Sequence, residues 1–314
     1  MTFWTVPARR ASMAAPTAAE ADAMTHYFKS GGVRIAYDDV GKGAPIVLLH
    51  GFSASRRLNW KLPGWYDTLT EAGFRVIAFD ARGHGQSDKP SDVESYRPEG
   101  IAGDAIRLMD HLGIRKASLL GYSMGGRNAA WLLANYPQRF DAVVIGGTGL
   151  NLLATEEARR WAARGYALTA DNEKTESLAI PAMVPLYHRV TRRGGRMGAL
   201  AACLLGAFPN MRAKDFARVG TPALVVCGSR DTLAGSPVPL AASIPGARAV
   251  LVPGRTHLSA VADPFFKGAV IGFLGHRAAD PVKAASRRVA ARKGRGGRTR
   301  ASTRGSGRPR SGTR

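Results

Sequence analysis

The stretch ASLLGYSMGGRNAAWLLANYP, residues 117–137, decides how this chain folds. It opens on a short apolar run, ASLLG, that reads as a strand, and continues into SMGGRNAAWLLANYP, a helical pattern closed by Pro137. Between them stands Gly121-Tyr122-Ser123-Met124-Gly125, a G-x-S-x-G placed at the strand-to-helix turn. A serine in so sharp a turn takes a strained backbone conformation, and small residues two before and two after it keep the neighbouring backbone from clashing. The turn lifts the hydroxyl to the end of a sheet. It also leaves Ser123 at a helix N-terminus, where unpaired N–H groups favour developing negative charge.

Working outward, short apolar runs alternate with longer amphipathic ones. VRIAYDDV, PIVLLHG and RVIAFD read as strands before the turn; YDTLTEAG reads as a helix, and so does PEGIAGDAIRLMDHLGI, with apolar residues at Ile101, Ala105, Leu108 and Leu112. After it, DAVVIGG, PALVVCG and ARAVLVPG read as strands and PFFKGAVIGFL as a last helix. Runs such as IVLLH, VIAF and AVVIG lack clean alternation, as expected of strands covered on both faces. The fold class is therefore α/β, a mostly parallel central sheet with helices on both faces. Between Thr148 and Asp215 the rhythm breaks into TEEARRWAARGYAL, AIPAMVPLYHRV and MGALAACLLGAF, three short helical patterns with no strand between them. This predicts a helical lid inserted over the open end of the sheet. The expected organisation is a disordered leader over 1–24, core over 25–147, lid over 148–215, core over 216–276 and a disordered basic tail over 277–314.

Composition narrows the classes. The 314 residues are 45% hydrophobic, enough for one large core. The 37 glycines follow no fixed period, which argues against a repeat fold. Cys203 and Cys227 lie in apolar surroundings without partners at metal-ligand spacing, so neither a disulfide framework nor a metal site is expected. No export signal and no apolar run of 18 residues is present, so a membrane span is not expected and a cytoplasmic location is the default. The net charge of +22 resembles a nucleic-acid signature until its position is considered, because about half sits beyond Arg277. That tail is rich in Arg, Gly and Ser and has no aromatic residue on which bases stack. It implies at most weak polyanion binding, separate from the chemistry of the folded part.

A neutral serine needs a base within hydrogen-bond reach. Of seven histidines, His257 follows the strand and turn VLVPGRT and precedes a helical run, which places it on a loop at a sheet end. His50 ends a strand, His84 belongs to a tight polar turn, His111 ends an amphipathic helix, His188 lies in the lid, and His26 and His276 border the leader and the tail. A carboxylate must then hold the imidazole tautomer, and Asp231 lies just past the strand ALVVCG. Asp80, Asp141 and Asp263 are worse placed. Two N–H donors must face the developing oxyanion; Met124 supplies one and Phe52, in the loop after IVLLHG, the other. Phe52, Met183, Leu186, Tyr187 and Leu258 are candidate substrate contacts, lining an apolar pocket under the lid.

His50-Gly51-Phe52, Asp80-x-Arg82-Gly83-His84-Gly85-x-Ser87, Gly121-Tyr122-Ser123-Met124-Gly125-Gly126, the turn Gly228-Ser229-Arg230-Asp231 and His257 together resemble the α/β-hydrolase superfamily across residues 25–275. The resemblance implies that Ser123, Asp231 and His257 act on a small-molecule substrate without metal or organic cofactor. Dehalogenases and epoxide hydrolases of that superfamily use an aspartate nucleophile where this chain has Ser123, so those activities are set aside. Three expectations remain open: hydrolysis of a carboxylic ester, lactone or thioester; carbon–carbon cleavage of ring-fission diketones or cofactor-free perhydrolysis; and a hydrolase-like ligand-binding protein. For the ring-fission reading, Arg127 is the nearby cation a dicarboxylate would need.

Overall fold

Eight strands form one sheet in the order β1-β2-β4-β3-β5-β6-β7-β8, in a computed structural model that describes residues 25–153, 197–207 and 211–275. The strands are β1 (His26–Ser30), β2 (Val33–Val40), β3 (Ala44–Leu49), β4 (Phe74–Phe79), β5 (Ala117–Tyr122), β6 (Phe140–Gly146), β7 (Ala223–Gly228) and β8 (Arg248–Val252). From β4 to β8 every pairing is parallel. β1 and β2 form an antiparallel hairpin that joins β4 antiparallel, so the sheet is mostly parallel with one antiparallel edge. β1 went unseen in the sequence because HYFKS has no apolar run; only Phe28 and Ser30 are buried.

The helices are α1 (Trp65–Glu71), α2 (Pro98–Ile101), α3 (Gly103–His111), α4 (Met124–Asn135), α5 (Met197–Gly206), α6 (Pro237–Ala242), the single turn α7 (His257–Ala260) and α8 (264–275). The expected single helix over 98–114 is divided into α2 and α3. Gly100 and Gly103 lower its helical propensity, and Ala105 N–H bonds to Ala102 O, an i,i+3 contact that tightens the junction.

Alternate strand residues point to opposite faces. Val47, Leu49, Ile77, Leu119, Val143, Ile145 and Val225 join one cluster with Ile106, Met109, Leu132 and Leu240 of α3, α4 and α6. The intervening Ile46, Leu48, Val76, Ala78, Leu120, Val144 and Val226 are just as buried, so both faces of the sheet are covered. The strand order reverses about β3: the chain moves from β3 to β4 on one side, then to β5 on the other. At such a switch point the loops beyond the carboxyl ends of the two inner strands diverge and leave a crevice. The tails of β3 and β5 border that crevice, with Leu49 opposite Gly121.

α5 lies within the stretch read as the third lid helix. Its Ala199, Ala202 and Cys203 are buried with Met124, Tyr96 and Ala81, and Phe52 packs against this group. Residues 154–196, which carry the two other lid patterns, together with the leader and the basic tail, lie outside the described residues.

Candidate active site

At the end of β5 the chain turns into α4 through Ser123, whose φ of 57° and ψ of −116° are rare for a residue with a side chain. The two flanking glycines are required by contact. A Cβ on Gly121 would stand 2.0 Å from Gly125 O, and one on Gly125 would stand 2.0 Å from Leu49 O. The strained turn is held by Ser123 N–H donating to Gly146 O at 2.8 Å and by Thr148 Oγ1 donating to Ser123 O at 2.9 Å.

Ser123 Oγ lies 2.8 Å from His257 Nε2. On the other side of the ring, Nδ1 lies 2.9 and 3.0 Å from the two carboxylate oxygens of Asp231. The carboxylate is fully buried and the imidazole 14% exposed. An ionised carboxylate can only accept, so the neutral ring carries its proton on Nδ1 and offers Nε2 as acceptor to the serine hydroxyl. Asp231 Oδ1 also accepts from Leu233 and Ala234 N–H, at 3.1 and 2.9 Å, which orients the carboxylate and offsets part of its desolvation. The loops after β7 and β8 are laced together: Arg230 N–H donates to Arg255 O and Gly254 N–H to Ser229 Oγ, at 2.9 and 2.8 Å. Three side chains far apart in the numbering thus meet at one rim of the sheet.

The loop after β3 abuts Ser123: a Cβ on Gly51 would stand 3.4 Å from Ser123 Cβ. Gly51 N–H donates to Asn59 Oδ1 at 2.9 Å, and Gly51 O accepts from His50 Nδ1 at 2.8 Å and Ala54 N–H at 3.2 Å. In a trans peptide the C=O and the following N–H point in opposite directions, so fixing Gly51 O also fixes Phe52 N–H. Neither Phe52 N–H nor Met124 N–H finds an acceptor among the described residues. His50 Nε2 accepts from Ala81 N–H at 3.0 Å, so this ring spans the loops after β3 and β4. Burial lowers the His50 imidazole to about 4. His84 packs edge-on against His50 and Phe52 at 5.2 and 5.7 Å, and burial, with the His50 ring next, lowers it to about 3. Behind them Arg56 is buried between Asp38 and Asp80: its Nε lies 2.9 Å from Asp38 Oδ1, its Nη1 pairs with Asp80, and its N–H donates to Asp80 Oδ1 at 2.8 Å.

The other sequence candidates fall elsewhere. Asp263 pairs with Arg255, Asp141 with Lys116, and His111 stacks on Phe28 at 5.4 Å. Leu258, next to His257, is 60% exposed, while Met124 is buried in the α5 cluster. Arg127 donates Nη2–H to Asn151 O at 2.9 Å, and burial lowers its guanidinium to about 10. Met183, Leu186, Tyr187 and His188 lie outside the described residues. Sequence reasoning passed over Asn59, Thr148 and Tyr122. Asn59 and Thr148 left no signal of their own; Tyr122 stood inside the motif as a free position.

A strained serine between strand and helix, at the switch point of a doubly covered sheet, defines a hydrolase of the α/β class. A family model described as alpha/beta hydrolase fold matches residues 44–172. The chain is 30% identical to 3-oxoadipate enol-lactonase 2 of Acinetobacter baylyi over 56% of its own length and 70% of that protein. It is 29% identical to a putative 2-succinyl-6-hydroxy-2,4-cyclohexadiene-1-carboxylate synthase of Bacillus subtilis, covering 77% of this chain and 94% of that one. Among solved structures, the enol-lactonase from Burkholderia xenovorans LB400 superposes with a TM-score of 0.63 at 26% identity, covering 79% of this chain and 99% of that one. The chain belongs to the α/β-hydrolase family and is an enzyme of that fold. No helix among the described residues is long and apolar enough to cross a membrane.

Proposed function

We propose that the enzyme hydrolyses a carboxylic ester, lactone or thioester of a small molecule through an acyl-enzyme. The observation that carries this reading is the continuous line from Asp231 through His257 to Ser123 Oγ, with contacts of 2.9 and 2.8 Å. As the serine oxygen attacks the carbonyl carbon, its proton passes to Nε2, and Asp231 stabilises the imidazolium that forms. The carbonyl oxygen becomes an oxyanion beside Phe52 and Met124 N–H, which have no other acceptor among the described residues and can receive it. One such donor is worth about 3 to 4 kcal/mol in a related setting. Nε2–H then protonates the leaving oxygen or sulfur, and the acyl group stays on Ser123. Water enters, gives its proton to Nε2, attacks the acyl carbon, and the serine leaves with the proton returned.

Side chains and main-chain N–H groups carry every step. Phe52 and Leu258, with Met183, Leu186 and Tyr187, are the proposed contacts to the acyl or alcohol part. Similarity to two enol-lactonases favours an acyl–oxygen bond over a carbon–carbon bond. The test is a hydrolysis screen across acyl chain lengths, lactones, thioesters and ring-fission diketones, run on the parent chain and on Ser123→Ala. The alanine variant is expected to lose at least about a thousand-fold in kcat on the best ester or lactone. Equal turnover by the variant, or cleavage of diketones alone, overturns the proposal.

A further inference from the structure

We infer that Tyr122 is a positioning residue for the base: from the strand that carries the nucleophile, its phenol reaches across and ties down the main chain of His257. The inference rests on the proposed hydrolytic reading and names a residue that the triad does not contain.

Tyr122 Oη donates to His257 O at 2.5 Å, across 135 residues of sequence. The phenol ring also lies beside the imidazole, with centroids 5.5 Å apart. Burial above all, then Asp231 and Cys227, raises the phenol well above its ordinary range, which keeps it a protonated donor around neutral pH. The path of this side chain is built into neighbouring backbone. A Cβ on Gly147 would stand 2.8 Å from the Tyr122 ring and one on Gly146 2.9 Å from it, so the two glycines at the end of β6 form the slot the ring occupies. Phe266 closes the slot at 5.8 Å, and Trp65 backs Phe266 at 5.7 Å in a perpendicular contact.

The base needs such support. His257 begins a helix of only four residues after the turn at Gly254, and one helical turn contributes little rigidity of its own. Asp231 holds the imidazole ring, but it sits on a separate loop and does not fix the His257 backbone to β5. Tyr122 does, because it is joined by one peptide bond to Ser123. Nucleophile and base are therefore referenced to each other through a single side chain. A displacement of about 1 Å at a reacting group is enough to cost on the order of a hundred-fold in rate.

The experiment compares the parent with Tyr122→Phe, which keeps the ring and removes the donor, using the best ester or lactone from the screen. The expected result is a fall of about ten-fold or more in kcat with KM within two-fold, since the tether serves geometry reached during attack rather than ground-state binding. The rate at which a fluorophosphonate labels Ser123 falls in parallel, because that reaction needs the same base. A kcat within two-fold of the parent, whatever happens to Tm, overturns the inference, and so does a rise in KM at constant kcat. If the parent itself neither turns over substrate nor is labelled at Ser123, the hydrolytic reading falls and takes the tether with it. An active parent with an indifferent phenylalanine variant removes the tether alone.

Discussion

The two sides of the site are held by different physics. On the β3 side, the loop from His50 to Trp60 is fixed by desolvated side chains: Asn59 accepts from Gly51 N–H, His50 donates to Gly51 O in the next peptide, and Arg56 is buried between two aspartates. On the β7 and β8 side, the loops carrying Asp231 and His257 are joined largely by main-chain donors to one another, and Asp231 itself is capped by two N–H groups. The first arrangement depends on neutral imidazoles and satisfied amides in a dry place. The second depends on one buried carboxylate keeping one tautomer. The N–H groups of Phe52 and Met124 and the line of contacts from Asp231 through His257 to Ser123 thus answer to separate perturbations.

The largest effect belongs to the side of Asp231 and His257. Asp231→Asn preserves shape but replaces an acceptor by a group that can donate to Nδ1, which favours the tautomer with its proton on Nε2 and leaves Ser123 without a base. A fall in kcat of about 10³ to 10⁴-fold is expected with little change in Tm. Steady-state kinetics that show less than a ten-fold loss would separate Asp231 from the chemistry.

On the other side, acid acts on stability. His50 and His84 are held at about 4 and about 3 in the folded chain, below the 6.5 of an unfolded histidine. Between these limits the unfolded chain takes up protons that the native chain refuses, so the stability present above pH 6.5 is lost progressively as pH falls toward 4, and toward 3 for His84. For His50 alone the loss is about 3 kcal/mol. Urea unfolding at stepped pH measures it as a slope of unfolding free energy against pH. A flat profile from pH 6.5 to 4 would show that the buried imidazoles are not the acid-sensitive part.

The smallest effect sharpens the contrast within the β3 side. Asn59→Ala leaves Gly51 N–H without its acceptor and loosens Gly51, whose carbonyl in the next peptide sets the direction of Phe52 N–H. About a ten-fold loss of kcat is expected, with stability lowered by about 1 to 3 kcal/mol for the stranded group. If Tm falls while kcat holds, the loop is structural only and the N–H of Phe52 is not where the oxyanion forms.

Much of this was legible before any coordinates. Strand runs such as PIVLLHG and ALVVCG announce themselves because they are continuous, apolar and punctuated by glycine. Residues that follow such strands by one to three positions, Phe52, Ser123 and Asp231, inherit their places at the rim from that pattern. β1 was missed because an edge strand buries too little to leave a pattern, and the division at Ala102 because two glycines do not break a heptad of apolar positions. Asn59 and Thr148 escaped because an amide or hydroxyl that serves a distant peptide looks like any polar loop residue.

The amino-acid sequence by itself determined the α/β class, the turn at Ser123 and the chain order serine, aspartate, histidine, since each rests on local periodicity, on the steric demands of one turn or on the order of residues. Tertiary structure alone decided which histidine nitrogen faces the serine, which way the Gly51 peptide points and that Tyr122 meets His257. Those outcomes depend on groups up to 135 residues apart being brought within hydrogen-bond distance, and only the assembled sheet sets that distance.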